Sequence, residues 1–297
     1  MASLRFINNM LSIIIIVKND RGIDDTLVNI ESQNISEEYE VIVVDASLGK
    51  LDDIKKKHKN TRWIDFVNDT NKKITIPEQR NLGIKSAHGN IIVFIDAGCI
   101  PEQNWLQYLA TPILRNEEQI VAGKTLSLGE RVLRDQTAEL NKNKKYLVEA
   151  PTINLAIKKS IFNDIGIFDT QFPFGEDIDF TWRCIDNGYK IRYSENAIVK
   201  HSWGNWHSDL MRSYNYGLAR ARLYKKHYTR WKHLFTNDLP VIVYPIFIVF
   251  LPLTFYFWFY PFLLLVPFIK NIKHKPFQVL SDHLLYGLGV IRGIFTL

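Results

Sequence analysis

The sequence predicts an α/β fold in which helices flank a mostly parallel sheet, followed by a C-terminal apolar helical segment that enters a membrane. Two patterns predict the sheet: short β-branched runs alternate with helical patterns in the first half, and three runs lead into an aspartate. One pattern predicts the membrane segment, because no charged residue occurs from Leu239 to Ile269.

Four runs in the first half have the composition of buried strands. They are Leu11–Val17, Glu40–Asp45, Arg62–Phe66 and Asn90–Asp96. The helical patterns between them are Asp24–Gln33, Leu51–Lys59 and Pro77–Ala87. Such spacing implies right-handed βαβ units, in which ligands bind beyond the carboxyl ends of the strands. Three aspartates lie at or just past those ends: Asp20, Asp45 and Asp96.

The pattern is less regular after residue 100, although further strands and one helix are indicated. The predicted strands are Ile120–Thr125, Thr152–Ile157, Lys190–Tyr193 and Ala197–Lys200. The predicted helix, Glu176–Asn187, begins after Gly175. We assign residues 1–235 to one α/β domain.

The charge-free stretch exceeds the roughly 20 residues that cross a bilayer, but five prolines interrupt it. Both flanks are basic, which favours the cytoplasmic side for each. A membrane hairpin over residues 236–275, bent near Pro252, fits both facts; one tilted span or a buried core hairpin are the alternatives. Residues 276–297, with a lone Arg292, predict an amphipathic helix in the membrane interface.

The positive net charge of the chain limits the classes of partner that it is expected to bind. A net charge of +6 suits nucleic acid, an anionic membrane or a polyphosphate substrate. No nucleic-acid-binding motif accompanies it, and the basic aromatic run Met211–His227 precedes the apolar stretch, so a membrane is favoured. Cys99 and Cys184 form neither a disulfide framework nor a metal site by spacing, which indicates a reducing cytosol.

Five stretches together resemble the family 2 glycosyltransferases of the GT-A fold. They are SIIIIVKND (Ser12–Asp20), VIVVDAS (Val41–Ser47), QRNLGIKSAHGNIIVFIDAG (Gln79–Gly98), FPFGEDIDFTWR (Phe172–Arg183) and GYKIRYSENAIVKH (Gly188–His201). The resemblance covers about residues 10 to 205. It implies a Rossmann-like GT-A domain and an inverting transfer of sugar from a nucleotide diphosphate to an acceptor hydroxyl.

The resemblance also implies a divalent metal, Mn²⁺ or Mg²⁺, at the departing diphosphate. The family ends this strand with an Asp-x-Asp motif, which here reads Asp96-Ala97-Gly98. Asp96 is the first predicted ligand and His201 the second. Gly98 replaces the second carboxylate of the motif, which leaves a strict metal requirement open. A strand-end histidine with a structural role is the alternative for His201.

Asp177 is the predicted general base, carried over from the family's Glu-Asp motif. Its position at a helix N-terminus stabilises the ionised carboxylate. Acidic residues are also common in first helical turns without any catalytic role, and that reading stays open.

The remaining site residues are expected to bind the substrates. The predicted nucleotide and phosphate contacts are Val17, Asn19, Asp45, Ser47 and Arg80. The predicted donor-sugar or acceptor contacts are Asn154, Glu176, Trp203 and Trp206. The tryptophans offer rings on which sugars stack, and a pair anchored at a membrane interface is the alternative.

The sequence therefore predicts a glycosyltransferase of polysaccharide biosynthesis at the cytoplasmic face of the cell membrane. Its substrates are a nucleotide diphosphate sugar and a lipid-linked or membrane-proximal glycan acceptor. A transferase that glycosylates polyprenyl phosphate itself is one alternative, and a non-catalytic nucleotide-sugar-binding membrane scaffold is another.

Overall fold

The computed structural model describes residues 9–67, 75–128, 141–204, 206–272 and 275–296, with the backbone alone for residues 206–208. The described residues form two compact units, the first ending at Ser202 and the second beginning at Trp203. The predicted functional domains, with a boundary at residue 235, remain a prediction.

Nine strands of the described chain form one sheet in the first unit. They are β1 (Leu11–Val17), β2 (Tyr39–Asp45), β3 (Arg62–Asp65), β4 (Ile91–Ile95), β5 (Cys99–Pro101), β6 (Ile120–Ser127), β7 (Tyr146–Leu147), β8 (Asn154–Lys158) and β9 (Ile191–His201). The helices of this unit are α1 (Ile23–Glu31), α2 (Asp52–Lys57), α3 (Ile76–Ser86), α4 (Trp105–Leu114), α5 (Ile161–Ile165) and α6 (Glu176–Asp186). The strand order is β3-β2-β1-β4-β8-β6-β9-β5, and β7 pairs with β9.

The sheet is mixed, which corrects the prediction of a mostly parallel one. The β1–β2, β1–β4, β2–β3 and β6–β9 pairs are parallel. The β4–β8, β5–β9, β6–β8 and β7–β9 pairs are antiparallel. A buried strand is apolar in either direction, so the apolar runs that reveal the strands do not reveal how they pair.

An aromatic cluster fills the core beside the central strands. Phe94 of β4 lies edge-on to Phe168, with ring centroids 5.5 Å apart. Phe162 of α5 stacks on Phe180 of α6 at 5.1 Å. These contacts fix α5 and α6 relative to the strand that leads into Asp96.

The second unit is helical. Its helices are α7 (Trp206–Lys226), α8 (Trp231–Asn237), α9 (Pro240–Val249), α10 (Leu265–Lys270) and α11 (Pro276–Phe295), with 3₁₀ turns at Tyr228–Arg230, Leu251–Phe255 and Tyr260–Leu264. Helices α7 and α11 touch through glycines. A Cβ on Gly217 would lie 2.0 Å from the Tyr286 carbonyl oxygen, and one on Gly289 would lie 2.0 Å from that of Tyr214.

The prediction of a C-terminal apolar helical membrane segment is wrong. Among the helices within the described ranges, none combines the length and apolarity needed to cross a membrane. Prolines divide the charge-free stretch, and its longest helix, α9, has 10 residues. The longer helices, α7 and α11, carry charged residues such as Arg212 and Arg292. A helix is present over most of residues 276–297, and its predicted place in a membrane interface stays a prediction.

Candidate active site

The ends of β1 and β2 form the first part of the site. Val17 and Asp45 are register partners, and the Ala46 N–H donates to the Val17 carbonyl at 2.9 Å. The Asn19 N–H donates to Ser47 Oγ at 2.7 Å, and the Ser47 N–H donates to Asp45 Oδ1 at 2.8 Å. The structure thus brings together the residues predicted to bind the nucleotide.

Arg80 forms the second part, where α3 meets the end of β4. A capping box between Thr75 and Glu78 begins this helix. The Arg80 guanidinium is buried, and its Nη2 lies 3.0 Å from Asp96 Oδ1. Its Nη1 forms an ion pair with Glu176. Two carboxylates that are 80 residues apart in the chain therefore share one cation.

Glu176 and Asp177 occupy the first turn of α6, which follows Gly175 in the left-handed region at φ 79°. The N–H groups of Ile178 and Thr152 donate to the Asp177 carboxylate at 2.8 and 3.3 Å. Burial raises the pKa of both Asp177 and Glu176, while the positive charge of Arg80 opposes both shifts. Asp177 is therefore an oriented carboxylate that is more basic than an exposed aspartate.

Gly98 marks the third part. It has φ +79°, and a Cβ built on it would lie 3.4 Å from Asp20 Oδ2 and 3.6 Å from His201 Cε1. The next residue, Cys99, is the register partner of His201. Burial raises the pKa of the Cys99 thiol, and the negative charges of Asp96 and Asp20 raise it further. Both carboxylates therefore influence the electrostatic potential at Cys99.

Asp20 was expected as one of three carboxylates at the ends of the strands, without a role of its own. Its Oδ1 accepts from the Gly22 N–H at 2.8 Å, which holds the carboxylate beside Gly98. Its place just past the end of β1 was visible in the sequence, but its proximity to residues 98 and 201 depends on the β1–β4 and β5–β9 pairings.

The expected metal site has no complete set of ligands among the described residues. Across the residues described, no three His, Cys, Asp or Glu side chains are grouped to hold an ion. The donors around Gly98, a carboxylate and an imidazole next to Asp96, nevertheless have the chemistry of a cation site that takes its other oxygens from phosphate and water.

The predicted sugar contacts are less uniform. The Asn154 amide is buried and used internally: its Oδ1 accepts from Trp105 Nε1 at 2.8 Å, and its Nδ2 donates to the Lys124 and Ala197 carbonyls at 2.9 Å. Trp203 belongs to the second unit, where the Arg212 guanidinium lies 5.6 Å from its ring centroid. The Trp206 side chain lies outside the described residues. Sugar contacts for all three stay predictions.

Comparisons with known proteins show which family and fold the chain is similar to. The sequence profile described as Glycosyl transferase family 2 matches residues 12–170. Glycosyltransferase AglE of Haloferax volcanii is 25% identical over 248 residues, covering 78% of this chain and 80% of AglE.

A second relative comes from Methanococcus voltae. It is named dolichyl N-acetyl-alpha-D-glucosaminyl phosphate 3-beta-D-2,3-diacetamido-2,3-dideoxy-beta-D-glucuronosyltransferase, and it is 23% identical over 246 residues, covering 74% of this chain and 75% of that enzyme.

The crystal structure of GalNAc-T7 with UDP, GalNAc and Mn2+ is similar in fold, with a TM-score of 0.56 and 16% identity. The match covers 73% of this chain and 47% of GalNAc-T7, so the chain spans about half of that protein. The expected GT-A-like α/β fold is confirmed.

Proposed function

Because the chain belongs to glycosyl transferase family 2, we propose that it is an inverting enzyme with a nucleotide diphosphate sugar as its donor. The acceptor is a hydroxyl of a lipid-linked or cell-surface glycan precursor. One observation carries the proposal: Arg80 joins the donor-side carboxylate Asp96 to the helix turn that holds Glu176 and Asp177. These two ion pairs support a crevice shared by the proposed base and the proposed phosphate-binding region.

The donor nucleotide lies at the ends of β1 and β2. Asp45 holds its base or ribose, since a carboxylate accepts hydrogen bonds from an imide or from hydroxyls. The hydrogen bonds through Ser47 fix Asp45 and Asn19 before the donor arrives. Such preorganisation lowers the entropy lost on binding.

The diphosphate lies near Gly98, where the absence of a side chain leaves room beside Asp20 and His201. Asp96 and His201 would hold a divalent cation there, and the Asp20 carboxylate lies on the same glycine as His201. When bound, the cation would neutralise the charge that develops on the leaving diphosphate. The relative crystallised with Mn2+ supports a metal of this kind.

Asp177 acts as the general base. The acceptor oxygen forms a bond to the anomeric carbon, the bond from that carbon to the diphosphate breaks, and the hydroxyl proton passes to Asp177. Attack opposite the leaving group inverts the anomeric centre. The raised pKa of Asp177 favours this role, because a more basic carboxylate takes the proton more readily.

The test is a screen of nucleotide sugars by mass spectrometry, followed by Asp177→Asn in the active pairing. We expect kcat to fall by about 100-fold or more, since general base catalysis contributes that much. Asp25→Asn, an exposed aspartate of α1, is the control and should retain wild-type kcat. Full activity of Asp177→Asn would instead favour an acceptor that is already ionised, such as a polyprenyl phosphate.

We also propose that the enzyme works at the cytoplasmic face of the cell membrane, bound at the lipid surface. The second unit leaves Phe255, Tyr256 and Trp258 exposed by 93%, 84% and 74%. Aromatic side chains favour the headgroup region of a bilayer. Lys270, which ends α10, adds a charge complementary to anionic lipid.

Vesicle sedimentation tests this location. The wild-type chain should sediment with phosphatidylglycerol vesicles, and the double variant Phe255→Ser/Trp258→Ser should stay largely in solution. Val67→Ser removes an exposed apolar side chain from the first unit and should bind like the wild type. Equal binding by all three chains would count against the surface location.

A further inference from the structure

We infer that Arg80 is a positioning residue of the proposed reaction: its one guanidinium fixes the donor-side carboxylate Asp96 and the acceptor-side carboxylate Glu176. The inference rests on the proposed function. It assigns Arg80 to the carboxylates of the protein, whereas the sequence predicted a contact with the phosphate.

The backbone that carries Arg80 is held firmly. Asn81 Nδ2 donates to the Phe168 carbonyl at 2.8 Å, and the Phe168 N–H donates to Asn81 Oδ1 at 3.0 Å. On the same helix, Gly83 packs so closely on β1 that a Cβ there would lie 2.5 Å from Ile14 Cγ2. Helix α3 therefore has little freedom to shift relative to the sheet.

The guanidinium is committed to two carboxylates. Arg80 is 6% exposed, its Nη2 contacts Asp96 at 3.0 Å, and its Nη1 contacts Glu176. The planar fork of arginine reaches two partners in different directions, which the single ammonium of lysine cannot do with the same geometry. With both arms used and little surface exposed, Arg80 is better placed to orient these side chains than to meet a diphosphate.

Charge gives the arrangement a second effect. Asp96, Glu176 and Asp177 bring three carboxylates to this part of the site, and Arg80 is the cation whose charge opposes the rise in pKa at Glu176 and Asp177. Arg80 thereby helps to keep Asp177 ionised, as a base requires, and holds the turn of α6 on which Asp177 lies. The Arg80 side chain thus links the orientation of Asp96 to the ionisation of Asp177.

The first test replaces Arg80 with lysine, which keeps the charge but cannot span both partners. We expect Arg80→Lys to remain folded, with a melting temperature above that of Arg80→Met because the buried positive charge is kept, and with a kcat reduced by about 100-fold, as misplacement of about 1 Å can cause. The control is Lys85→Met, which removes an exposed cation from the same helix and should keep full kcat. A kcat for Arg80→Lys within about threefold of the control would overturn the inference.

The second test is a double-mutant cycle in stability, which needs no substrate. Arg80→Met should lower the melting temperature strongly because it leaves Glu176 buried without its cation. Adding Glu176→Gln should restore at least ~3 °C of that loss, since the neutral amide no longer needs the pair. A double variant no more stable than Arg80→Met would contradict the inferred coupling.

The two tests separate the possible failures. If the wild-type chain transfers no sugar from any donor, the proposed function fails, and the stability cycle alone decides whether Arg80 couples to Glu176. If the wild type is active and Arg80→Lys is equally active, the function stands and the positioning role fails.

Discussion

The two units of the molecule differ in how far their large apolar side chains are buried. In the first unit, Phe180 is fully buried and stacks on Phe162. In the second unit, Phe255 is 93% exposed, and helices α7 and α11 meet through glycine backbones. The presence of a hydrophobic residue in the sequence therefore does not show that its side chain is buried, because burial depends on how the local backbone packs.

The largest effect should come from truncating the same residue type in the two units. Phe180→Ala should lower the free energy of unfolding by about 3–5 kcal/mol, because it removes buried contacts and leaves a cavity. Phe255→Ala should change it by less than about 0.5 kcal/mol, since the ring is already exposed. Urea unfolding of the full-length variants measures both values, and similar losses would remove the contrast.

The free energy of unfolding should depend on pH because the second unit contains a partly buried histidine, His283. Burial, aided by the positive charge of Lys270, lowers the pKa of His283 from 6.5 to about 4. The folded state then binds fewer protons than the unfolded state as the pH falls from about 6.5 to about 4. The free energy of unfolding should therefore fall by roughly 3 kcal/mol as the pH drops from about 6.5 to about 4. Above about pH 6.5 this loss should be absent, because His283 is neutral in both states.

Two variants check the cause of that pH effect. His283→Asn should flatten the dependence of the unfolding free energy on pH. Tyr244→Phe removes the hydroxyl that lies 2.6 Å from His283 Nδ1, yet should keep the dependence, because burial is the main cause of the shift. Loss of the pH dependence in Tyr244→Phe would assign the effect to the hydrogen bond.

The smallest of the three effects should come from the glycine contact. Gly289→Ala places a methyl group 2.0 Å from the Tyr214 carbonyl oxygen, so α7 and α11 must separate, at a cost of about 1–3 kcal/mol. Leu288→Ala, at a partly exposed neighbour in α11, should cost less. Thermal unfolding of the second unit compares the two, and equal melting temperatures would show that the helices are not packed through this glycine.

The same contrast explains which parts of the fold were predictable. The run Leu11–Val17 is a strand with the predicted bounds, because continuous β-branched residues suit a fully buried strand. The strands predicted at Lys190–Tyr193 and Ala197–Lys200 are one strand, β9, whose pairing with β6 shifts register after Gly123. Exposed positions such as Glu195 interrupt the apolar pattern there, so the sequence suggested a break.

Other elements carried little local signal. Strand β5 has three residues, and α4 contains Pro112, which argues against a helix when the sequence is read alone. The charge-free stretch indicated a membrane segment because its composition is apolar, whereas its prolines permit only short helices. The composition of that stretch predicted an apolar surface correctly but did not predict its secondary structure.

The site shows a similar division. Asp96 and Asp177 were identified from their motifs, and the structure links them through Arg80 and Glu176. No local pattern relates Arg80 to Glu176, since they are distant in sequence and meet only because α3 and α6 pack on one sheet. Asp20 was expected at the same edge of the sheet as Asp45 and Asp96, but its contact with Gly98 depends on strand pairings that the sequence does not show. The roles of these residues stay predictions.

The order of strands in the sheet has a consequence for synthesis on the ribosome. Strands β1, β2 and β4 can pair as soon as residue 95 has emerged, but β4 receives its other neighbour only with β8, where Ile95 meets Asn154. Cys99 receives its partner last, when His201 arrives. A nascent chain therefore assembles the Asp45 side of the site early and the His201 side late, so a chain that ends before residue 201 would lack part of the site.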